Sequence, residues 1–138
     1  MNLEHAKILI AARIRQAQEC IDDGKFLLSA GRGARTVINR AYYAAFYAVL
    51  ALLQTVGKTP RKHSGALALF DAEFVKPGLF SKELSVALHR LFETRQEDDY
   101  QKLDPIPQEE AAEAIAGAES FVQAIRSYLI DKDYLDKE

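Results

Sequence analysis

The sequence contains a single cysteine, Cys20, so no disulfide can form within the chain and packing alone must hold the fold. A lone thiol suits a reducing compartment. Residues 1–10 scatter Glu4, His5 and Lys7 among apolar side chains, unlike a signal peptide, so the expected location is the cytoplasm. Histidine is equally sparse. Its three copies never fall at ligand spacing from one another or from Cys20, and neither HExxH nor CxxC occurs, so no metal is expected. Glycine-rich phosphate loops of the GxxxxGK[ST] or GxGxxG type are missing too, and nothing implies a cofactor. No serine nucleophile with a matching histidine and acid can be assembled. Positive charge is not in excess: 18 Lys and Arg against 20 Asp and Glu give a net charge of -2, so any contact with nucleic acid must come from a local patch.

Charge is absent altogether from residues 41–53, the middle of ARTVINRAYYAAFYAVLALLQTV, where no side chain is more polar than tyrosine. A helix that is apolar all the way round must be enclosed on every side. Thirteen such residues rise only about 20 Å, short of the roughly 20 residues that a hydrocarbon core requires. The stretch therefore reads as the central post of a helical bundle and not as a membrane span. At 138 residues, 1–138 forms one domain, long enough to bury roughly two-thirds of the surface its unfolded chain exposes.

The remaining pattern is helical throughout. After Asn2, a good N-cap, apolar side chains at Leu3, Ile10, Ile14, Ala17, Ile21 and Leu28 mark one stripe of a first helix, which Gly31 and Gly33 close. The central helix stops near Gly57. A short helix follows the loop at 58–65, carries Leu67, Phe70 and Phe74, and ends at Pro77-Gly78. Ser81 caps the next helix, whose stripe of Leu84, Leu88, Leu91 and Phe92 gives out after Arg95. Pro105 and Pro107 introduce a long final helix with Glu109 and Glu110 at its positive end, and residues 131–138 are expected to fray. The expectation is an all-α, up-and-down bundle of four main helices plus one short helix.

Three places can carry chemistry. Arg40, beside Asn39, sits one residue before the charge-free section, either at the bundle rim paired with a carboxylate such as Glu93 or Asp98, or partly enclosed. Tyr42, Tyr43 and Tyr47 spread over more than a third of the helix circumference, so they are either three core tyrosines with satisfied hydroxyls or include one facing a cleft or a partner subunit. Lys58, Arg61, Lys62 and His63 form the densest positive run, at a helix start that favours anions, and read equally as a solvated basic loop. His89 reads as a satisfied structural histidine. Finally, Arg95-Gln96-Glu97-Asp98-Asp99-Tyr100 places an arginine and a phenol where a helix ending between them would let both reach one phosphate. Arg95 tying down the acidic turn is the structural alternative.

In order, Asn39-Arg40-Ala41-Tyr42-Tyr43-Ala44-Ala45-Phe46, Lys62-His63-Ser64-Gly65 and Arg95-x-x-x-Asp99-Tyr100, followed by a final acidic helix, resemble the HEPN superfamily and its small single-domain prokaryotic branch. The resemblance implies a helical bundle that dimerises and is paired with a minimal nucleotidyltransferase as toxin and antitoxin, the HEPN member being a metal-independent ribonuclease. The family's working motif is Arg-x(4–6)-His. Arg95 fits its arginine, whereas Tyr100 stands at the histidine position. A base for ribose 2′-hydroxyl attack must be partly free near neutral pH, which suits a histidine near 6.5; a tyrosine near 10 is ionised in roughly one molecule per thousand at pH 7. The resemblance thus implies phosphate, RNA or nucleotide binding more firmly than cleavage. Arg95 and Tyr100 are the residues it places at the reacting phosphate, with Asn39, Arg40, Tyr43, Lys62, His63 and Asp99 around them. The alternatives are a catalytically inactive binding module for the nucleotidyltransferase and a purely structural helical adaptor.

Overall fold

A computed structural model describes residues 2–100 and 105–137, with the side chains of residues 2–96 and 105–137. Among them the regular elements are all helical: α1 (Leu3–Ser29), α2 (Ala34–Leu53), α3 (His63–Phe70), α4 (Lys82–Tyr100) and α5 (Gln108–Asp131). This is the expected all-α bundle, four long helices and one short. A tight turn at Gln54–Val56 prolongs α2, and a wider π-helical turn at Asp71–Val75 prolongs α3.

Local chemistry sets the ends. The Asn2 side chain accepts from the Glu4 and His5 backbone N–H groups at 2.7 and 3.4 Å, and the Ser81 hydroxyl accepts from Leu84 at 3.2 Å. Between α1 and α2, Gly31 and Gly33 both take φ of 67°, a left-handed backbone that glycine adopts without penalty. The short turn reverses the chain. Cys20 consequently meets Arg40 and Arg13 meets Tyr47, the pairing of antiparallel neighbours.

Helix α2 packs against α1, α3, α4 and α5. Ala41, Ala44, Ala45, Ala48 and Ala51 are all fully buried, and their small side chains let four neighbours approach one backbone. Gly24 of α1 serves the same end, since a Cβ there would stand 2.6 Å from Ile115 Cδ1 on α5. By length and composition Ala34–Val56 could cross a membrane, but 67% of its most apolar window is buried inside the bundle, as befits a core helix. A separate aromatic cluster of Phe70, Phe74, Phe80, Phe121 and Tyr128, with ring centroids 5.1 to 6.4 Å apart, joins α3 and its π-turn to α5. The Asp71 carboxylate takes the Ser85 hydroxyl at 2.5 Å and His89 Nε2 at 2.7 Å, which pins the π-turn to α4 and gives His89 its structural role.

Two expectations change. Helix α4 does not stop after Arg95 but runs to Tyr100. Loss of the apolar stripe removes a packing face without removing the backbone hydrogen bonds; Gln96 and Glu97 are good helix formers, and no proline or glycine follows them before residue 100. At the other end, the expected fray is replaced by a return: Asp133 takes φ of 65°, Tyr134 N–H bonds the Leu129 carbonyl at 2.8 Å, and Tyr134 and Leu135 pack back on the core.

Because the alanine face of α2 leaves no spare volume, Ala48→Leu is expected to destabilise the protein by about 1–3 kcal/mol in urea denaturation, through displaced helices and not lost contacts. Unchanged stability would mean that α2 is less tightly enclosed than its burial indicates.

Candidate functional site

The second aromatic cluster lies where α2, α3 and α4 meet. Tyr42 and Phe46 are one turn apart on α2, and both face the first residue of α3, His63. The His63 ring sits 4.2 Å from Phe46, 5.5 Å from Tyr42 and 5.7 Å from Tyr43, centroid to centroid. Its Nδ1 is 2.9 Å from the Tyr42 hydroxyl. Tyr42 is fully buried, so its phenol needs this partner. The other ring nitrogen, Nε2, has no hydrogen-bond partner among the described residues.

Onto this platform α4 delivers Arg95. Its guanidinium carbon lies 5.4 Å from the Tyr42 ring and 5.4 Å from the Tyr43 ring. Arg40 likewise lies 5.4 Å from the centre of the same Tyr43 ring, its Nη2 donating to Asn39 Oδ1 at 2.8 Å and its Nη1 to Cys20 Sγ at 3.5 Å. Two guanidinium groups, one imidazole and two tyrosines thus form one cluster, half-buried except for the enclosed Tyr42, and it is the candidate depression for a ligand.

Electrostatics follow from that geometry. Burial, and after it the neighbouring Arg95 charge, holds the His63 imidazole below its ordinary value, so it is neutral at pH 7. Burial drives the Tyr42 phenol well up, against the opposing pull of Arg95, and Tyr42 stays protonated. Burial likewise raises the Cys20 thiol, despite the Arg40 charge that lowers it. A neutral imidazole fixed beside a cation can accept a proton next to a bound phosphate, the pairing required for acid–base work on a phosphodiester.

Of the residues singled out from sequence, Asn39, Arg40, Tyr43, His63 and Arg95 come together here. Lys62 does not join them: it stands at the N-cap position of α3 without a side-chain cap, and its exposed side chain has no hydrogen bond or ion pair with the cluster among the described residues. Lys58 also leaves the basic run, bonded to Glu73 at 2.5 Å. The side chains of Asp99 and Tyr100 lie outside the described residues, although both positions belong to α4. Arg40 forms no ion pair with Glu93 or with any other described carboxylate, and the side chain of Asp98, the other partner expected for it, lies outside the described residues. Tyr42 and Cys20 are additions that sequence reasoning missed. Tyr42 read as one core tyrosine of three, and the only hint was its one-turn spacing from Phe46.

Comparison with known proteins agrees with this arrangement of helices. A family model described as the HEPN domain matches residues 10–128. A UPF0332 protein of Thermotoga maritima is 44% identical over 85% of this chain and 88% of its own length. Two proteins of Methanocaldococcus jannaschii named "putative toxin" are also similar. One is 37% identical over 73% of this chain and 69% of its own length, the other 33% identical over 87% and 88%.

The site makes a prediction that needs no ligand. In proton–nitrogen spectra of the histidine rings, His63 is expected to titrate below the ordinary 6.5, and Arg95→Gln is expected to raise its midpoint part of the way, leaving the larger burial effect in place. The sign for stability follows. As pH falls the unfolded chain protonates first, so the contribution of neutral His63 is complete above about pH 6.5 and declines below it. A midpoint that ignores Arg95→Gln would show that the two groups are not electrostatic neighbours.

Proposed function

Because this chain belongs to the HEPN domain family, we propose that it grips RNA in the Arg40–Tyr43–Arg95–His63 depression and is the RNA-directed member of a toxin–antitoxin pair. The names carried by its Methanocaldococcus relatives support the toxin side of this reading. One observation carries the rest: a guanidinium and an imidazole from different helices converge on the same tyrosine, with Arg95 5.4 Å from the Tyr42 ring and His63 2.9 Å from its hydroxyl.

Metal-independent cleavage can be written with these residues. With its Nδ1–H donated to the Tyr42 oxygen, His63 has a free lone pair on Nε2, which takes the proton of a ribose 2′-hydroxyl as that oxygen attacks the adjacent phosphorus. Arg95 neutralises charge building on the phosphoryl oxygens. The imidazolium so formed returns the proton to the departing 5′-oxygen, which leaves a 2′,3′-cyclic phosphate and a free 5′-hydroxyl. In this reading His63 takes the part that Tyr100 cannot, and Tyr100 is left to orient the strand. Asp99, on the last turn of α4, and Lys62, beside the depression's histidine in sequence, remain outer contributors to binding.

Association in pairs belongs to the same proposal. Leu9 is 41% exposed on α1, and half-buried Tyr47 and Leu50 continue the Tyr43 face along α2, so a second copy seated there would border the depression. The second reading is a non-cleaving module that binds RNA or holds a nucleotidyltransferase partner. The observation favouring it is the tyrosine at position 100, where the family motif has histidine.

The test is incubation of purified protein with mixed single-stranded RNA in EDTA. Cleavage is expected to persist, and His63→Ala and Arg95→Ala are each expected to slow it by about 100-fold or more. Equal rates for wild type and both variants would remove the ribonuclease. Retained RNA binding that Arg95→Ala abolishes, with no cleavage by wild type, would establish the binding module instead.

A further inference from the structure

Arg40 presents an imbalance that the reading above does not use. Its guanidinium is half-buried, and the groups it touches are an amide oxygen of Asn39, the Cys20 sulfur and the Tyr43 ring. None of these carries a negative charge, since the thiol is held protonated by burial. Glu19 and Asp23 stand along the same edge of α1, close enough to act on Cys20, yet neither forms an ion pair with Arg40. A partly desolvated cation without a counter-ion is unfavourable, and an anionic ligand relieves it. Two of its five N–H donors are spoken for, which leaves three for a ligand.

Geometry says which anion. Arg40 and Arg95 each lie 5.4 Å from the centre of one ring, so their charges are no farther apart than twice that distance. Two like charges so placed repel, and the single negative charge of one phosphodiester balances only one of them. Along a nucleic-acid strand, however, phosphates recur about every 3.4 Å of stacked rise and farther when bases are splayed, so neighbouring phosphates of one strand fit this span.

Building on the reading of the depression as an RNA site, we propose that it contains two phosphate subsites: Arg95 with His63 holds the phosphate to be cleaved, and Arg40, tethered by Asn39, holds the next phosphate of the same strand. The ligand recognised is therefore a single strand carrying two consecutive phosphates, and a nucleoside monophosphate fills half the site.

The experiment is competition against a fluorescein-labelled 2′-O-methyl RNA dodecamer, which cannot be cleaved, followed by anisotropy. The competitors are adenosine 3′,5′-bisphosphate, which carries two consecutive strand phosphates, ADP, which has similar charge on one side of the sugar only, and AMP. The bisphosphate is expected to compete about tenfold or more better than ADP or AMP, as one added charge-assisted contact implies. Arg40→Gln is expected to bring that ratio close to one, and Asn39→Ala, which removes only the tether, to lower it partway. Thermal denaturation checks that each variant is folded, and Asn39→Ala alone suffices should Arg40→Gln not fold. Equal competition by ADP and the bisphosphate, or a ratio that both variants leave intact, overturns the second subsite while leaving RNA binding in place. Failure of wild type to bind the dodecamer at all overturns the RNA reading and this inference with it.

Discussion

The constraint from which the structure follows is that α2 has no polar side. Its charge-free section has to be covered by protein in every direction, and the fully buried alanines allow α1, α3, α4 and α5 to come close enough to do so. Covering also creates an obligation. Tyr42 lies wholly inside the bundle, and a buried phenol without a partner is costly. The hydroxyl is met by His63 at the head of α3, so the same packing that satisfies the core delivers an imidazole to the edge of the bundle. Site chemistry here is a by-product of enclosing one helix.

Much of the fold was legible in the sequence because helices are local. Spacing of three and four residues, the Asn2 and Ser81 caps, and glycines at 31 and 33 are written within a turn or two of where they act. The errors have one cause: polarity was treated as a stop signal. Residues 96–100 are polar, but no proline or glycine interrupts them, and the helix continues. Residues 131–137 are charged at Asp131, Lys132, Asp133, Asp136 and Lys137, yet Tyr134 and Leu135 between them supply an apolar anchor.

The site was half legible for a different reason. Arg40, Tyr43 and Asn39 are neighbours on one helix, so periodicity groups them. Arg95 and His63 are brought together only by how α3 and α4 dock on α2, and no spacing rule spans that distance. The spacing of four to six residues after Arg95 leads to Tyr100 and to no histidine, so the linear motif supplies no imidazole, and His63 enters only as one of the surrounding binding residues. The structure instead holds an imidazole beside Arg95 from another element. A linear motif records one way to place two groups together, whereas the chemistry needs only the placement.

The aromatic floor also explains how a chain with a net charge of -2 concentrates cations. Three cation–ring contacts around Tyr42 and Tyr43 help to position Arg40 and Arg95. A ring attracts a guanidinium without cancelling its charge. For Arg40, pairing with aspartate would fix the side chain equally well but would neutralise it before any ligand arrived. Rings therefore give order while leaving the Arg40 charge uncancelled, and the nearby His63 imidazole is held neutral first by burial and then by the Arg95 charge. Occupation of the depression by an anion weakens the field of that charge and raises the proton affinity of His63, which couples binding to the capacity for proton transfer through electrostatics alone.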